Sequence, residues 1–244
     1  MLRPLLDRLE AGWTVDGLTF RGRRRRPGRF PEEENLDLYV EDGRTAHLLL
    51  YLKAYHGRPG RRPWVELFAL RPEGILGGRP WTYFDSAQEA ALLEALAGAL
   101  GPGGDLFVEY GDDPETWDGL TRGVPAPFSR LGARMLAAGF TWFKDWYYPE
   151  GFMEGGEKLQ GERPLDEAAR ARHLARIRAE AAAFRARCEA ARAVHPAVER
   201  ACRRARRWLE AGTPALDGAA RLGVGRSSPG NGGEAPGTGR PETG

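Results

Sequence analysis

Leu131–Gln160 reads LGARMLAAGFTWFKDWYYPEGFMEGGEKLQ, and the reading of this stretch decides the fold. Its first part is an apolar stripe at helical spacing closed by Gly139, since glycine enters the left-handed stop conformation at no steric cost. The pattern predicts a helix over residues 126–138. Phe140–Tyr148 then changes to dense aromatic β-formers, which predicts a strand. Gly151, Gly155 and Gly156 read as turns, and Glu157–Glu162 returns beside the aromatic strand.

Outward toward the N-terminus, Asp105–Tyr110 reads as a strand, and Asp113-Pro114-Glu115 opens a short helix with an N-cap and a proline at the first helical position. Ser86 and Glu89 form a capping box ahead of an apolar stripe that ends at Gly101-Pro102, which predicts a helix over 86–100. Earlier still, Leu18–Arg21, Leu36–Glu41, Ala46–Lys53, Trp64–Leu70 and Trp81–Phe84 have strand character, with Asp42-Gly43 as a hairpin signal. Leu2, Leu5, Leu6 and Leu9 fall at helical spacing and predict a short helix over one sheet face. The expectation is therefore an antiparallel meander followed by alternating helices and strands, an α/β (α+β) fold.

Outward toward the C-terminus the composition shifts to alanine and arginine. Leu174, Ile177, Ala181, Phe184, Cys188, Ala191, His195, Val198, Cys202, Ala205 and Leu209 alternate at spacings of three and four, the seam of a long helix or a helix pair broken at Pro196. Past Gly212 the chain is too poor in apolar groups to offset its ordering entropy. The expected organisation is a domain over 1–164, a helical extension over 165–212 and a disordered tail over 213–244.

With 36 basic against 34 acidic residues in 244, the net charge of +2 selects no class of partner. Charged residues break every apolar run near the N-terminus, and Leu48–Leu52 is strand-sized, so neither a signal peptide nor a membrane span is expected. The two cysteines lie in a helical pattern, which argues against a disulfide framework and for the reducing cytoplasm.

The segment Asp105–Glu162, and above all the string quoted first, resembles an uncharacterised prokaryotic family, the domain of unknown function numbered eleven twenty-two. That family is grouped with the GNAT-like (N-acetyltransferase) fold, and Arg134–Phe143 resembles the helix, Gly-Phe, strand passage of that fold. The resemblance implies a mixed, largely antiparallel sheet flanked by helices; the family itself has no established activity to carry over, and acyltransferase-like chemistry belongs to enzymes of the GNAT-like fold. Two parts of the usual apparatus are missing. The glycines that would cradle a cofactor pyrophosphate do not occur in Asp85-Ser86-Ala87-Gln88-Glu89, and the position of the usual tyrosine acid holds Met135. No cofactor is named by the sequence.

The densest set of polar groups among aromatics is Glu109, Tyr110, Asp112 and Asp113 with Trp142, Lys144, Asp145, Trp146, Tyr147, Glu150, Glu154 and Lys158. Glu109 is the candidate base and Tyr147 the candidate acid, while Trp142, Lys144, Asp145, Trp146, Glu150, Glu154 and Lys158 would bind substrate. Glu109, Trp146, Tyr147 and Glu150 are expected to line one concave pocket. Asp112-Asp113-Pro114-Glu115 reads as a helix start rather than a cation site, and Cys188, His195 and Cys202 read as seam residues rather than zinc ligands, so no metal is expected. A small-molecule ligand is the leading partner. Nucleic acid drawn to Arg21–Arg29 and to the arginines of 170–207 is the alternative, and a module dimerising through the helical seam is a third reading. Oligomeric state is open.

Overall fold

The described residues of this computed structural model are 2–15, 17–25, 31–41, 46–68, 73–76, 79–82, 87–146, 157–191 and 195–211, with 73–76 and 79–82 described at the backbone only. Residues 1–214 form one compact unit. The unit 215–244 and the expectation of a disordered tail over 213–244 lie outside the described residues.

Helix α1 (Leu2–Ala11) leads into strands β1 (Trp13–Val15), β2 (Leu18–Arg24), β3 (Glu33–Glu41), β4 (Ala46–Tyr55) and β5 (Trp64–Phe68). Each pairs antiparallel with the next: β2 to β5 are four of the expected meander strands and β1 extends them, whereas Trp81 and Thr82, expected in a fifth, are not part of this sheet. Strands β6 (Glu73–Leu76) and β7 (Arg79–Thr82) form a separate two-stranded hairpin. Helix α2 (Ala87–Leu100) then crosses over to β8 (Asp105–Glu109), which lies parallel to β5.

Helix α3 (Pro114–Thr121) is capped by Asp113, whose carboxylate accepts from the Thr116 amide. The single helix expected over 126–138 is two pieces. A 3₁₀ turn, Ala126–Phe128, stops at Ser129, and Ser129 recaps the chain for α4 (Arg130–Ala137) by accepting from the Gly132 amide at 3.0 Å. Pro125 precedes that turn and Pro127 lies within it, where a missing amide hydrogen removes no helical bond; the break comes at Ser129, whose ψ of 165° leaves the helical region. Strands β9 (Trp142–Trp146) and β10 (Lys158–Glu162) pair antiparallel, and β10 inserts between β8 and β9. The sheet order is β1-β2-β3-β4-β5-β8-β10-β9, mixed and mostly antiparallel.

One face of this sheet carries the core. Leu36, Leu38, Leu50, Leu52, Val65, Leu67, Leu106, Val108 and Leu159 are buried there with the leucines of α1 and the apolar stripe of α2. Each such leucine contributes on the order of 1.5–3 kcal/mol relative to exposure. Two glycines let helices approach closely: a Cβ on Gly22 would meet Leu36 and the α1 backbone, and one on Gly161 would meet Met135 and Phe140.

The arginine-rich segment forms α5 (Glu167–Ala190) and α6 (Pro196–Glu210), with His195 as N-cap and Pro196 at the first helical position of α6. Ile177, Ala181, Phe184, Ala201 and Ala205 join the same core cluster as the sheet. The expectation of no disulfide is overturned: Cys188 of α5 and Cys202 of α6 are bonded, with Cα atoms 6.7 Å apart. The reason is tertiary. The chain folds back at His195, so residues seven before and seven after it become neighbours.

Candidate functional site

Helices α1, α2 and α4 occupy the core face, and the opposite face presents side chains of alternate register. At the C-terminal end of β8, Lys158 of β10 stands between Glu109 of β8 and Trp146 of β9 in the strand register. The Lys158 ammonium is paired with Glu66 of β5 and lies 4.7 Å from the Phe68 ring centre. Lys144 sits 3.3 Å above the Trp146 ring. The Trp146 indole donates to Gln160 at 2.8 Å, and Gln160 donates to Asp105 at 2.9 Å. At this strand end Lys158, Glu109 and the Trp146 ring can contact a polar ligand, the ammonium polarising a carbonyl and the carboxylate accepting a proton, while the Trp146–Gln160–Asp105 chain runs toward the opposite end of β8.

The residues singled out from sequence divide between the two faces. Glu109, Lys144, Trp146 and Lys158 lie together on the open face. Tyr110 and Asp145 belong to the other, where the Tyr110 hydroxyl donates to Asp145 at 2.6 Å. Desolvation raises the Asp145 carboxyl above the usual range; the Tyr110 hydroxyl lowers it and the Glu157 carboxylate raises it further. Asp113 is spent on capping α3, as the sequence implied. Tyr147, Glu150 and Glu154 lie outside the described residues, so the four-residue pocket is represented by Glu109 and Trp146 alone.

Trp142 lines a different cavity of about 260 Å³ at the edge of the sheet, with Pro125, Thr141, His173, Arg176 and Ile177. There the buried Thr141 hydroxyl and His173 Nδ1 are 3.0 Å apart. Burial lowers the His173 pKa from its ordinary value; Glu162 opposes this, while Arg172 and Arg176 reinforce it. Sequence reasoning missed this pair and Glu66. Glu66 carried a signal, being the one charge between Val65 and Leu67 in a strand, whereas Thr141 and His173 are 32 residues apart and meet only when α5 docks.

The start of α2 is electrostatically closed. Glu89, in its first turn, is fully buried, with Arg130 Nη1 at 3.7 Å and Arg134 Nε at 3.6 Å. Among the described residues no group of three or more His, Cys, Asp or Glu could hold a metal ion. None of the described helices is long and apolar enough to cross a membrane.

Residues 16–188 match the family model described as protein of unknown function, DUF1122. The chain belongs to this family. A crystal structure of a protein of unknown function from Aquifex aeolicus VF5 is similar to this DUF1122 protein at 36% identity and a TM-score of 0.69, covering 85% of this chain and 98% of the other. No curated protein matches the DUF1122 chain.

Proposed function

We propose that this DUF1122 protein binds a polar small molecule at the C-terminal end of β8, on a GNAT-like scaffold that lacks the usual acetyl-CoA grip. The observation that carries the reading is the parallel pair β5 and β8, the one such pair among the described strands, with Glu109, Lys158, Glu66 and Trp146 gathered at its C-terminal end. Ligands favour such strand ends, where one sheet direction meets another. The passage from α4 through Gly139-Phe140 into β9 supports the GNAT-like assignment.

Acyl transfer in its usual form is not favoured. Glu89 places an acid where a cofactor phosphate would need the α2 N-terminus, and Met135, in the position of the customary tyrosine acid, is buried and has no proton to give. Glu109 is the base of choice if a reaction occurs. The nucleic-acid reading is weakened by internal use of the arginines: Arg200 and Arg204 bind Glu115, while Arg176, Arg185 and Arg203 pair along their own helices.

Calorimetry with acetyl-CoA and a metabolite thermal-shift screen test the proposal together. Acetyl-CoA should show no micromolar binding, and a screen hit should be lost in Glu109→Gln and Lys158→Met while both variants stay folded. Micromolar acetyl-CoA binding, or a hit indifferent to both substitutions, overturns it.

A further inference from the structure

A second hollow lies at the other end of the same strands, on the same open face. It measures about 340 Å³ and is lined by Glu32, Glu33, Tyr55, Trp64, Asp105 and three arginines, Arg58, Arg61 and Arg62. Its floor follows from register: Glu33 pairs with Tyr55, Tyr55 with Trp64, and Trp64 with Asp105, so one cross-strand row supplies four of the lining side chains. Tyr55 and Trp64 stack with ring centres 5.7 Å apart and an interplanar angle of 22°.

The arginines come from the turn between β4 and β5. Arg58-Pro59-Gly60-Arg61 closes with reciprocal backbone hydrogen bonds of 3.1 and 2.8 Å, and Gly60 has φ of +80°, so proline and glycine occupy the positions that a type II turn demands. The bridge sets Arg58 and Arg61 opposite each other. Like charges so placed repel, and among the described residues neither guanidinium has an ion-pair partner. Arg62 is held by Glu162 at 2.6 Å.

The carboxylates of the hollow are largely committed elsewhere. Lys53 binds Glu33 at 3.3 Å and also lies 5.4 Å from the Trp64 ring centre, and Gln160 donates to Asp105. What remains unspent is a pair of guanidiniums beside an aromatic platform, with Glu32 as an acceptor at the rim. Guanidinium forks match phosphate oxygens, aromatic faces match planar rings, and a carboxylate accepts from hydroxyl or amino groups.

We propose that this hollow binds a mononucleotide, with the phosphate on Arg58 and Arg61, the base against Trp64 and a hydroxyl or amino donor on Glu32. The site is independent of the one at the C-terminal end of β8. The volume lies within the range of small-molecule sites.

Titration of the full chain with AMP, GMP, UMP, ribose 5-phosphate and inorganic phosphate, followed by Trp fluorescence and calorimetry, tests it. At least one mononucleotide should bind saturably below millimolar concentration and about tenfold or more tighter than ribose 5-phosphate or phosphate. Arg58→Ala with Arg61→Ala should weaken that binding at least about tenfold. The double variant should melt no lower than the parent, because it removes a repulsive pair on an exposed turn. Lys158→Met should leave nucleotide affinity unchanged, which separates this site from the other. No saturable nucleotide binding to folded protein, equal affinity for ribose 5-phosphate, or binding indifferent to the double substitution each overturns the proposal.

Discussion

Arg130 donates from Nε to both carboxylate oxygens of Asp113, at 3.1 and 3.0 Å, so the first residue of α4 holds the cap of α3. Both side chains are buried, and Asp113 also serves the Thr116 amide. The pair ties two helices whose amides and charges would otherwise be exposed to a low-dielectric interior. Removing one partner strands the other, so Arg130→Met should cost about 3–5 kcal/mol in urea unfolding. A loss below about 1 kcal/mol would show that the pair is dispensable.

The bond between Cys188 and Cys202 closes a loop with a sequence separation of 14. Loop-closure entropy makes that worth about 3 kcal/mol, or roughly 6–12 °C in Tm for a chain of this size. Thiol titration of denatured, unreduced protein should find no free thiol, and reduction or Cys188→Ser with Cys202→Ser should lower Tm by that amount. Two titratable thiols in freshly purified protein contradict the pairing.

Burial holds the His173 pKa below its ordinary value, so the neutral ring is the form that suits the fold. Between the folded and unfolded values the unfolded chain binds more protons, and stability therefore rises with pH in that window. The contribution is complete above about pH 6.5 and fades as pH falls below it. His173→Gln should flatten the Tm profile between about pH 5 and 7 relative to the parent. Parallel profiles would mean that the ring titrates as it does in water.

Gly132 packs against the carbonyl of Ala126, where a Cβ would overlap the backbone oxygen. The 3₁₀ turn, the Ser129 cap and α4 have no slack at this point. Gly132→Ala should therefore destabilise by about 1–3 kcal/mol or more, visible as a lowered urea midpoint with unchanged slope. A midpoint equal to that of the parent would show that the turn relaxes freely.

Local chemistry determined the elements of this protein, because capping, turn formation and side-chain periodicity act over a few residues. Asp113 before Pro114, Gly139 after the α4 stripe, the leucines of α1 and the start of α6 at Pro196 all belong to that class. The residue types of the candidate site were legible too, since Glu109, Lys144, Trp146 and Lys158 stand out among aromatics. Which face each belongs to was not. Strand alternation sets Asp145 opposite Lys144 and Trp146, but which of the two faces stays open depends on where α1, α2 and α4 pack. The same holds for Glu66 beside Lys158, Thr141 beside His173, Cys188 bonded to Cys202 and the paired arginines beside Trp64. Each joins residues brought side by side by sheet pairing or helix docking, and only the folded chain sets those distances.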